Sequence, residues 1–237
     1  MKLSKIELGR RPLIAAVILG KSPVVDALRA KKQGADILEL RLDQFKSLKP
    51  DYLAKTIKEI KRKTHLPLIA TLRHRSEEKF LPLRYRLSED MRLKILSGIL
   101  PLVEMADIEL RAKTILKPLI RKAHSLNKKV IVSYHNFKKT PSFKELASIA
   151  REARGTGADI VKITAMARRE EEVARLMVFT YLSRVRPLVT ISMGPIGSIS
   201  RLISPIFGSG IVYAAVTKKA APGQIDLSLL SNLLRPH

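Results

Sequence analysis

The stretch "PLIAAVILGKSPVVDALRAKKQGADILELRLD", residues 12–43, decides the fold of this chain. It opens with an apolar run rich in β-formers, Leu13–Leu19, and closes with a second one, Ile37–Asp43. Between them, "SPVVDALRAKKQG" carries its apolar residues at helical spacing. Two strands separated by one helix are typical of parallel strands joined by a crossover. The sequence therefore predicts a β–α–β unit here.

This alternation continues to the end of the chain. Helical periodicity recurs in segments such as "PDYLAKTIKEIKRK" and "SEDMRLKILSGILP". The predicted strands are Leu13–Leu19, Ile37–Asp43, Pro67–Arg73, Met105–Leu110, Val130–His135, Asp159–Ala165, Pro187–Gly194 and Ile211–Val216. Eight such units in 237 residues predict a single-domain (β/α)8 TIM barrel. Residues 1–12 precede the first strand, and we expect them to form a short N-terminal cap on the barrel floor.

Local motifs support the helices and disfavour the alternative fold, a doubly wound open sheet. Ser88 in "SEDM" and Ser142 in "PSFKE" are expected N-caps. Gly34 and Gly155 are expected to follow their helices as C′ residues. The first strand leads into "LGKSP" rather than a G-x-G-x-x-G turn, and the sequence contains no P-loop motif.

The composition excludes several classes of protein. The chain has no cysteine, which rules out disulfides, thiolate metal sites and thiol nucleophiles. No apolar run approaches the roughly 18 residues of a membrane span. "PLIAAVILG" is short and lacks a following cleavage pattern, so it favours a strand over a signal peptide. We expect a cytoplasmic protein with no membrane partner.

The charge balance raises the question of a nucleic-acid partner. Lys and Arg total 45 against 21 Asp and Glu, a net charge of +24. The basic residues are scattered in short groups, and only 5% of residues are aromatic and able to stack on bases. We therefore expect no nucleic-acid partner, and interpret the charge as solvated helix faces that also attract small anions.

Ionisable residues gather where the predicted strands end, which is the catalytic face of a (β/α)8 barrel. Glu39, Arg41 and Asp43 share one face of the second strand because side chains alternate along a strand. Further strand ends and the loops that follow them contribute Arg73, His135, Lys162 and Arg201. Isolated charge is costly inside a barrel, so these groups are either paired or functional.

Six segments carry most of these residues: "ADILELRLDQF", "PLIATLRHRSEE", "VIVSYHNFKKTPS", "GADIVKIT", "ISMGPIGSISR" and "APGQI". In this order they resemble the type I 3-dehydroquinate dehydratase family over nearly the whole chain. The resemblance implies a (β/α)8 barrel that dehydrates 3-dehydroquinate to 3-dehydroshikimate, in the shikimate pathway, through a lysine Schiff base and without metal or cofactor. The alternatives are another Schiff-base barrel, such as an aldolase, and a non-catalytic barrel that binds nucleic acid.

The resemblance assigns roles to three catalytic residues. Lys162 matches the Schiff-base lysine, and its apolar neighbours predict burial that leaves some neutral amine near pH 7. His135 matches the histidine that donates and accepts protons, with a pKa suited to neutral pH. Glu77 matches the glutamate that orients the histidine, although Glu78 beside it is a competing candidate, and Glu78 and Lys79 replace the glycines that usually follow in the family.

The resemblance also implies an anionic substrate and a set of residues that bind it. Arg201 matches the residue that binds the substrate carboxylate, which a guanidinium can hold with two hydrogen bonds. The other substrate-binding positions are Glu39, Arg41, Arg73 and Gln224. Ala220 stands where many relatives have serine, and Tyr213 where phenylalanine is frequent. We expect a homodimer, as in many relatives.

Overall fold

Eight parallel strands and the helices between them form the fold. The computed structural model describes residues 2–3, 6–7, 11–78, 81 and 84–235. The barrel strands, numbered in chain order, are β1 Leu13–Ile18, β2 Ile37–Arg41, β3 Leu68–Thr71, β4 Met105–Glu109, β5 Lys129–Asn136, β6 Ile160–Met166, β7 Leu188–Met193 and β8 Ile211–Ala215. The predicted strands are all present, each within a few residues of its predicted bounds.

The strands pair in parallel in the order β8-β1-β2-β3-β4-β5-β6-β7. The two outer strands, β7 and β8, form no ladder in the described part of the chain. Instead the Gly210 amide donates to the Leu188 carbonyl at 2.9 Å, and the Thr190 amide donates to Ser209 Oγ at 3.1 Å. These bonds bring the two edges together, so the sheet is a nearly closed barrel. The predicted single-domain (β/α)8 fold is confirmed.

Helices follow the strands as crossovers. Their bounds are α1 Pro23–Lys32, α2 Pro50–Thr64, α3 Glu89–Ile99, α4 Lys113–Ser125, α5 Phe143–Gly155, α6 Glu170–Leu182, α7 Ser200–Ile203 and α8 Leu227–Leu234. Ser88 caps α3 by accepting from the Met91 amide, and Ser142 forms a reciprocal capping box with Glu145, as predicted.

One of the two predicted C′ glycines is misplaced. Gly34 follows α1 with a φ of +89°, as expected for a residue that ends a helix in the left-handed region. Gly155, in contrast, is the last residue of α5, and Gly157 has the left-handed φ of +99°. The helix therefore continues to Gly155, and the chain turns two residues later.

The inward side chains of the strands divide the barrel into an apolar floor and a polar top. On β2 the inward row begins with Ile37, which packs with other apolar residues inside the barrel, and continues with Glu39 and Arg41. The rows of β4, β5 and β6 likewise begin with Met105, Ile131 and Ile160 and continue with Asp107, Ser133 and Lys162. The alternate residues face outward and pack against the helices.

The N-terminal cap is a prediction that the structure describes only in part. Lys2–Leu3 pairs with Ile6–Glu7 as a short antiparallel hairpin. Residues 1, 4–5 and 8–10 lie outside the described residues, so the cap over residues 1–12 stays a prediction. In the described residues, none of the helices combines the length and the apolar character needed to span a membrane.

Candidate active site

A cavity opens at the carboxyl ends of the strands, at the face where barrel enzymes carry their active sites. The predicted site residues that line it are Glu39, Arg41, Arg73, Glu77, His135, Lys162, Arg201 and Gln224. The structure therefore brings all eight together, although they come from the three strands β2, β5 and β6, from helix α7 and from loops, up to 185 residues apart in the sequence, from 39 to 224. The roles assigned to them above stay predictions.

Lys162 lies at the centre of the barrel, with 4% of its surface exposed. Its Nζ is 3.0 Å from Asp107 Oδ2 and 3.4 Å from Glu39 Oε1. It also lies 4.0 Å from the ring centroid of Tyr213. These partners come from β4, β2 and β8, so the ammonium is enclosed from several sides.

The predicted lowering of the Lys162 pKa is wrong. Burial alone would lower the pKa of this amine, but the carboxylates of Asp107 and Glu39 outweigh burial and raise the pKa above its ordinary value. The prediction considered only the apolar neighbours of Lys162 along its own strand. The charged neighbours, which lie on other strands, decide the sign.

Asp107 is a site residue that the sequence analysis missed. Besides Lys162, it pairs with Arg73 Nη1 at 3.0 Å and accepts from Ser133 Oγ at 2.7 Å. A signal was present, because Asp107 and Glu109 alternate along "MADIEL" in the way that Glu39 and Arg41 alternate along β2. The same argument applied to the fourth strand would have found both carboxylates.

Arg73 connects these carboxylates into one buried network. Its Nη1 lies 3.0 Å from Asp107 Oδ1 and 3.1 Å from Glu109 Oε1, and donates to Ser133 Oγ at 2.9 Å. Glu109 also accepts from Arg92 of α3. The guanidinium of Arg73 is therefore committed to protein partners from β4 and β5.

His135 and Glu77 form a buried pair. His135 Nδ1 lies 2.8 Å from Glu77 Oε2, and 2% of the Glu77 surface is exposed. Burial raises the pKa of the Glu77 carboxyl to about 7, against the opposing field of Arg73. Burial, together with the positive charges of Arg73 and Lys162, lowers the pKa of His135 well below its ordinary value. The imidazole is therefore neutral at pH 7, and the predicted near-neutral pKa is wrong because the ring is buried and two cations face it.

The structure separates the two neighbouring glutamates. Glu77 ends a short 3-10 turn, Arg75–Glu77, and faces His135. Glu78 pairs instead with Arg41 and accepts from the Leu81 amide at 2.8 Å. Arg41 is held further by two hydrogen bonds to Asp43, at 3.0 and 2.8 Å. Lys79 lies outside the described residues.

Arg201 differs from the other arginines of the cavity. Its side chain is buried, and it donates to the carbonyls of Gly223 at 3.0 Å and Tyr213 at 3.1 Å. It has no carboxylate partner among the described residues, and burial lowers the pKa of the guanidinium to about 10. A buried cation without a counter-ion provides a site for an anion that enters the cavity.

The loop after β8 forms one wall of the cavity. Gln224 Oε1 accepts from the Ala220 amide at 2.6 Å, which fixes the side chain in the loop. Gly223 has a φ of +72°, and a Cβ there would lie 2.2 Å from the Gly194 carbonyl oxygen. This close approach requires glycine and holds the loop against the end of β7.

No group of three or more His, Asp or Glu side chains that could hold a metal ion occurs in the described ranges. The fold and the cavity together define a (β/α)8 barrel with a buried lysine at the carboxyl ends of its strands. The sequence profile of the family described as type I 3-dehydroquinase matches residues 21–236. The chain belongs to this family, and the resemblance noted above is confirmed.

Relatives and solved structures agree with this assignment. The chain is 33% identical to the 3-dehydroquinate dehydratase of Methanococcoides burtonii, over 99% of this chain and 98% of that one. Its structure matches that of the Geobacillus kaustophilus 3-dehydroquinate dehydratase with a TM-score of 0.92 and 27% identity, covering 99% and 94% of the two chains. The type I enzyme of Clostridium difficile, solved with covalently modified comenic acid, matches with a TM-score of 0.90 and 31% identity, covering 99% and 95%.

Proposed function

We propose that this protein converts 3-dehydroquinate to 3-dehydroshikimate and water through an imine formed on Lys162. The observation that carries the proposal is the position of Lys162, whose amine lies in a cavity beside a neutral histidine and between two carboxylates. The relative solved with a covalently modified organic acid supports covalent chemistry in this family.

The first step forms the imine. The amine of Lys162 is protonated in the ligand-free site, because Asp107 and Glu39 raise its pKa. It must therefore lose a proton before its lone pair attacks the ketone carbon, and the neutral His135 can accept that proton. The carbonyl oxygen takes one proton from the attacking nitrogen and one back from His135 and leaves as water, so that an iminium cation joins Lys162 to the substrate and His135 is neutral again.

The two carboxylates that bind the Lys162 ammonium would also stabilise the iminium cation. The iminium nitrogen is the former Nζ and keeps a positive charge, so Asp107 and Glu39 stabilise it electrostatically. The face of the Tyr213 ring adds a cation–π contact. The raised pKa of Lys162 therefore reflects a field that favours the covalent intermediate.

The second step eliminates water. The iminium withdraws electrons and acidifies the adjacent C–H bond, and His135 removes that proton. The electrons of the C–H bond form the new double bond of the enamine. The enamine then expels the hydroxyl of the next carbon, which leaves as water after taking a proton from His135. Water hydrolyses the resulting imine, releases the product and regenerates Lys162.

Glu77 positions the histidine for these transfers. Its Oε2 lies 2.8 Å from Nδ1 of His135, and we place the ring hydrogen on Nδ1 in this bond, so that Nε2 is free to exchange protons with the substrate. When His135 takes up a proton, an ionised Glu77 stabilises the imidazolium. We assign Glu77 as a positioning residue on this basis.

Arg201 is the proposed partner of the substrate carboxylate, since it is buried without a counter-ion among the described residues. Glu39, Arg41, Arg73 and Gln224 complete the proposed binding set. Glu39 accepts from Thr71 as well as Lys162, and Arg73 is held by Asp107 and Glu109. These protein contacts hold the side chains of Glu39 and Arg73 in place before the substrate binds.

The experiment that tests this function is turnover of 3-dehydroquinate by the purified protein, followed through the absorbance of the conjugated product. We expect catalysis by the wild type and none by Lys162→Met. Arg201→Ala should raise KM more than it lowers kcat, because it removes a binding contact. Folded wild-type protein that leaves the substrate unchanged would contradict the proposal.

We also propose that the protein forms a homodimer. Helix α6 exposes Val178, Tyr181 and Leu182 to solvent, and such side chains are candidates for burial in an interface. Light scattering during gel filtration should give twice the mass of one chain, and Tyr181→Glu should shift the protein towards the monomer. A monomeric wild type would contradict this proposal without affecting the proposed reaction.

A further inference from the structure

Two hydroxyls that line the cavity, those of Tyr213 and Thr164, make no hydrogen bond of good geometry among the described residues, although the Lys162 ammonium lies close to the Tyr213 hydroxyl. Tyr213 is 3% exposed, so solvent does not satisfy its hydroxyl from the surface. Most buried polar side-chain atoms in proteins have a partner, and an exception in a cavity points to a group that arrives from outside the chain. The hydroxyl of Tyr213 is the better placed of the two to meet a ligand.

The Tyr213 hydroxyl is the better placed because its side chain lies beside the proposed reacting groups. The Tyr213 ring lies beneath Lys162 Nζ, 4.0 Å from it, and its carbonyl accepts from Arg201 Nη1 at 3.1 Å. Tyr213 therefore contacts both the amine that attacks the ketone and the guanidinium proposed to bind the carboxylate. The ring makes the first contact and the backbone carbonyl the second, so a substrate bound by both groups would lie close to Tyr213.

The hydroxyl is equipped to donate. Burial raises the pKa of Tyr213 above its ordinary value, so the phenol keeps its proton at neutral pH. The neighbouring polar groups are already engaged: Gln224 Oε1 accepts from the Ala220 amide, and Glu39 Oε1 accepts from Thr71 and Lys162. Ala220, which also lines the cavity, has no polar side-chain atom.

We infer that the hydroxyl of Tyr213 donates a hydrogen bond to a hydroxyl oxygen of the bound substrate, and that Tyr213 is a specificity-determining residue of this enzyme. The inference rests on the proposed function, because a polyhydroxylated ring supplies the acceptor. A hydrogen bond made only to the ligand gives a preference for hydroxylated substrates over analogues that lack the acceptor.

The test is Tyr213→Phe, which removes one oxygen and keeps the ring under Lys162. We expect kcat/KM for 3-dehydroquinate to fall about ten-fold, the effect of one well-formed hydrogen bond. The control is Ser192→Ala, whose hydroxyl also has no partner among the described residues but does not line the cavity. That variant should retain the wild-type kcat/KM. Equal values of kcat/KM for wild type and Tyr213→Phe would overturn the inference.

A second measurement separates substrate binding from a structural role. If the hydroxyl has no partner in the free protein, Tyr213→Phe should keep or raise the unfolding temperature without ligand, and the shift produced by 3-dehydroshikimate should be smaller than in wild type. A lower unfolding temperature without ligand would overturn the inference by showing that the hydroxyl is bonded within the protein. A wild type without turnover would instead refute the proposed function.

Discussion

In the ligand-free site Lys162 is protonated and the neighbouring His135 is neutral. Two carboxylates raise its pKa, while two cations and burial lower the pKa of the nearby His135. The free site therefore holds a charged lysine beside a neutral histidine. In the proposed mechanism, proton transfer from Lys162 to His135 prepares the amine for attack.

The ionisation of Glu77 should set the acid side of the activity profile. Burial raises its pKa to about 7, so below that pH the carboxyl is protonated and cannot stabilise the imidazolium of His135. We expect kcat/KM, which reports ionisations of the free enzyme, to fall as the pH drops through about 7. Glu77→Gln should remove this dependence and lower the plateau about 100-fold.

The measurement is kcat/KM against pH for both proteins at low substrate concentration, with Glu152→Gln as the control because Glu152 is exposed on α5. The control should keep the wild-type profile. An unchanged acid limb in Glu77→Gln would contradict the assignment of that limb to Glu77.

The sequence predicted which residues line the cavity better than it predicted the pKa values of those residues. The eight predicted residues all reach the cavity. The sign of the Lys162 pKa shift could not be predicted, because it depends on Asp107, which is 55 residues away in the sequence and 3.0 Å away in space. Asp107 itself was within reach of the alternation argument.

Among the elements, α3 restrains the loop that carries Glu77. Arg92 of α3 is 1% exposed and donates to the Leu72 carbonyl at 3.2 and 2.7 Å. It also binds Glu109, whose other oxygen contacts Arg73 and accepts from the His74 amide. Both ends of the segment Leu72–His74 are thereby fixed to β4 and α3.

Arg92→Met should remove the contacts that fix the segment Leu72–His74 to α3. The variant leaves the Leu72 carbonyl and one oxygen of Glu109 without their donor, so we expect a loss of about 3 kcal/mol in the free energy of unfolding. We also expect kcat to fall, because Arg73 and Glu77 lose their fixed positions. Urea unfolding and kcat at low temperature, with exposed Arg121→Met as the control, measure both effects. A kcat equal to that of wild type would contradict the positioning role.

Strand and helix positions were predictable because each has a local cause, as in the Ser142 capping box that starts α5. The end of α5 was not, since Gly155 and Gly157 are both available in the sequence and only the left-handed φ of Gly157 distinguishes them. The bonds of Gly210 and Ser209 that bring β7 and β8 together carry no local signal.

On the scale of the whole molecule, the net charge of +24 should assist the capture of an anionic substrate. The screening length falls from about 10 Å at 0.1 M salt to about 3 Å at 1 M. We expect kcat/KM to decrease as salt is raised while kcat changes little. A kcat/KM independent of ionic strength would contradict this role of the charge.

The central claim is the covalent role of Lys162, and mass spectrometry after borohydride reduction tests it most directly. Protein incubated with 3-dehydroquinate and reduced should gain the mass of one ligand, less the water lost on imine formation and plus the two hydrogens added by reduction, and peptide mapping should place it on Lys162. Lys162→Arg, which keeps a cation between Asp107 and Glu39, is the control and should gain no mass. Folded wild-type protein without an adduct, or with the adduct on another lysine, would contradict the account.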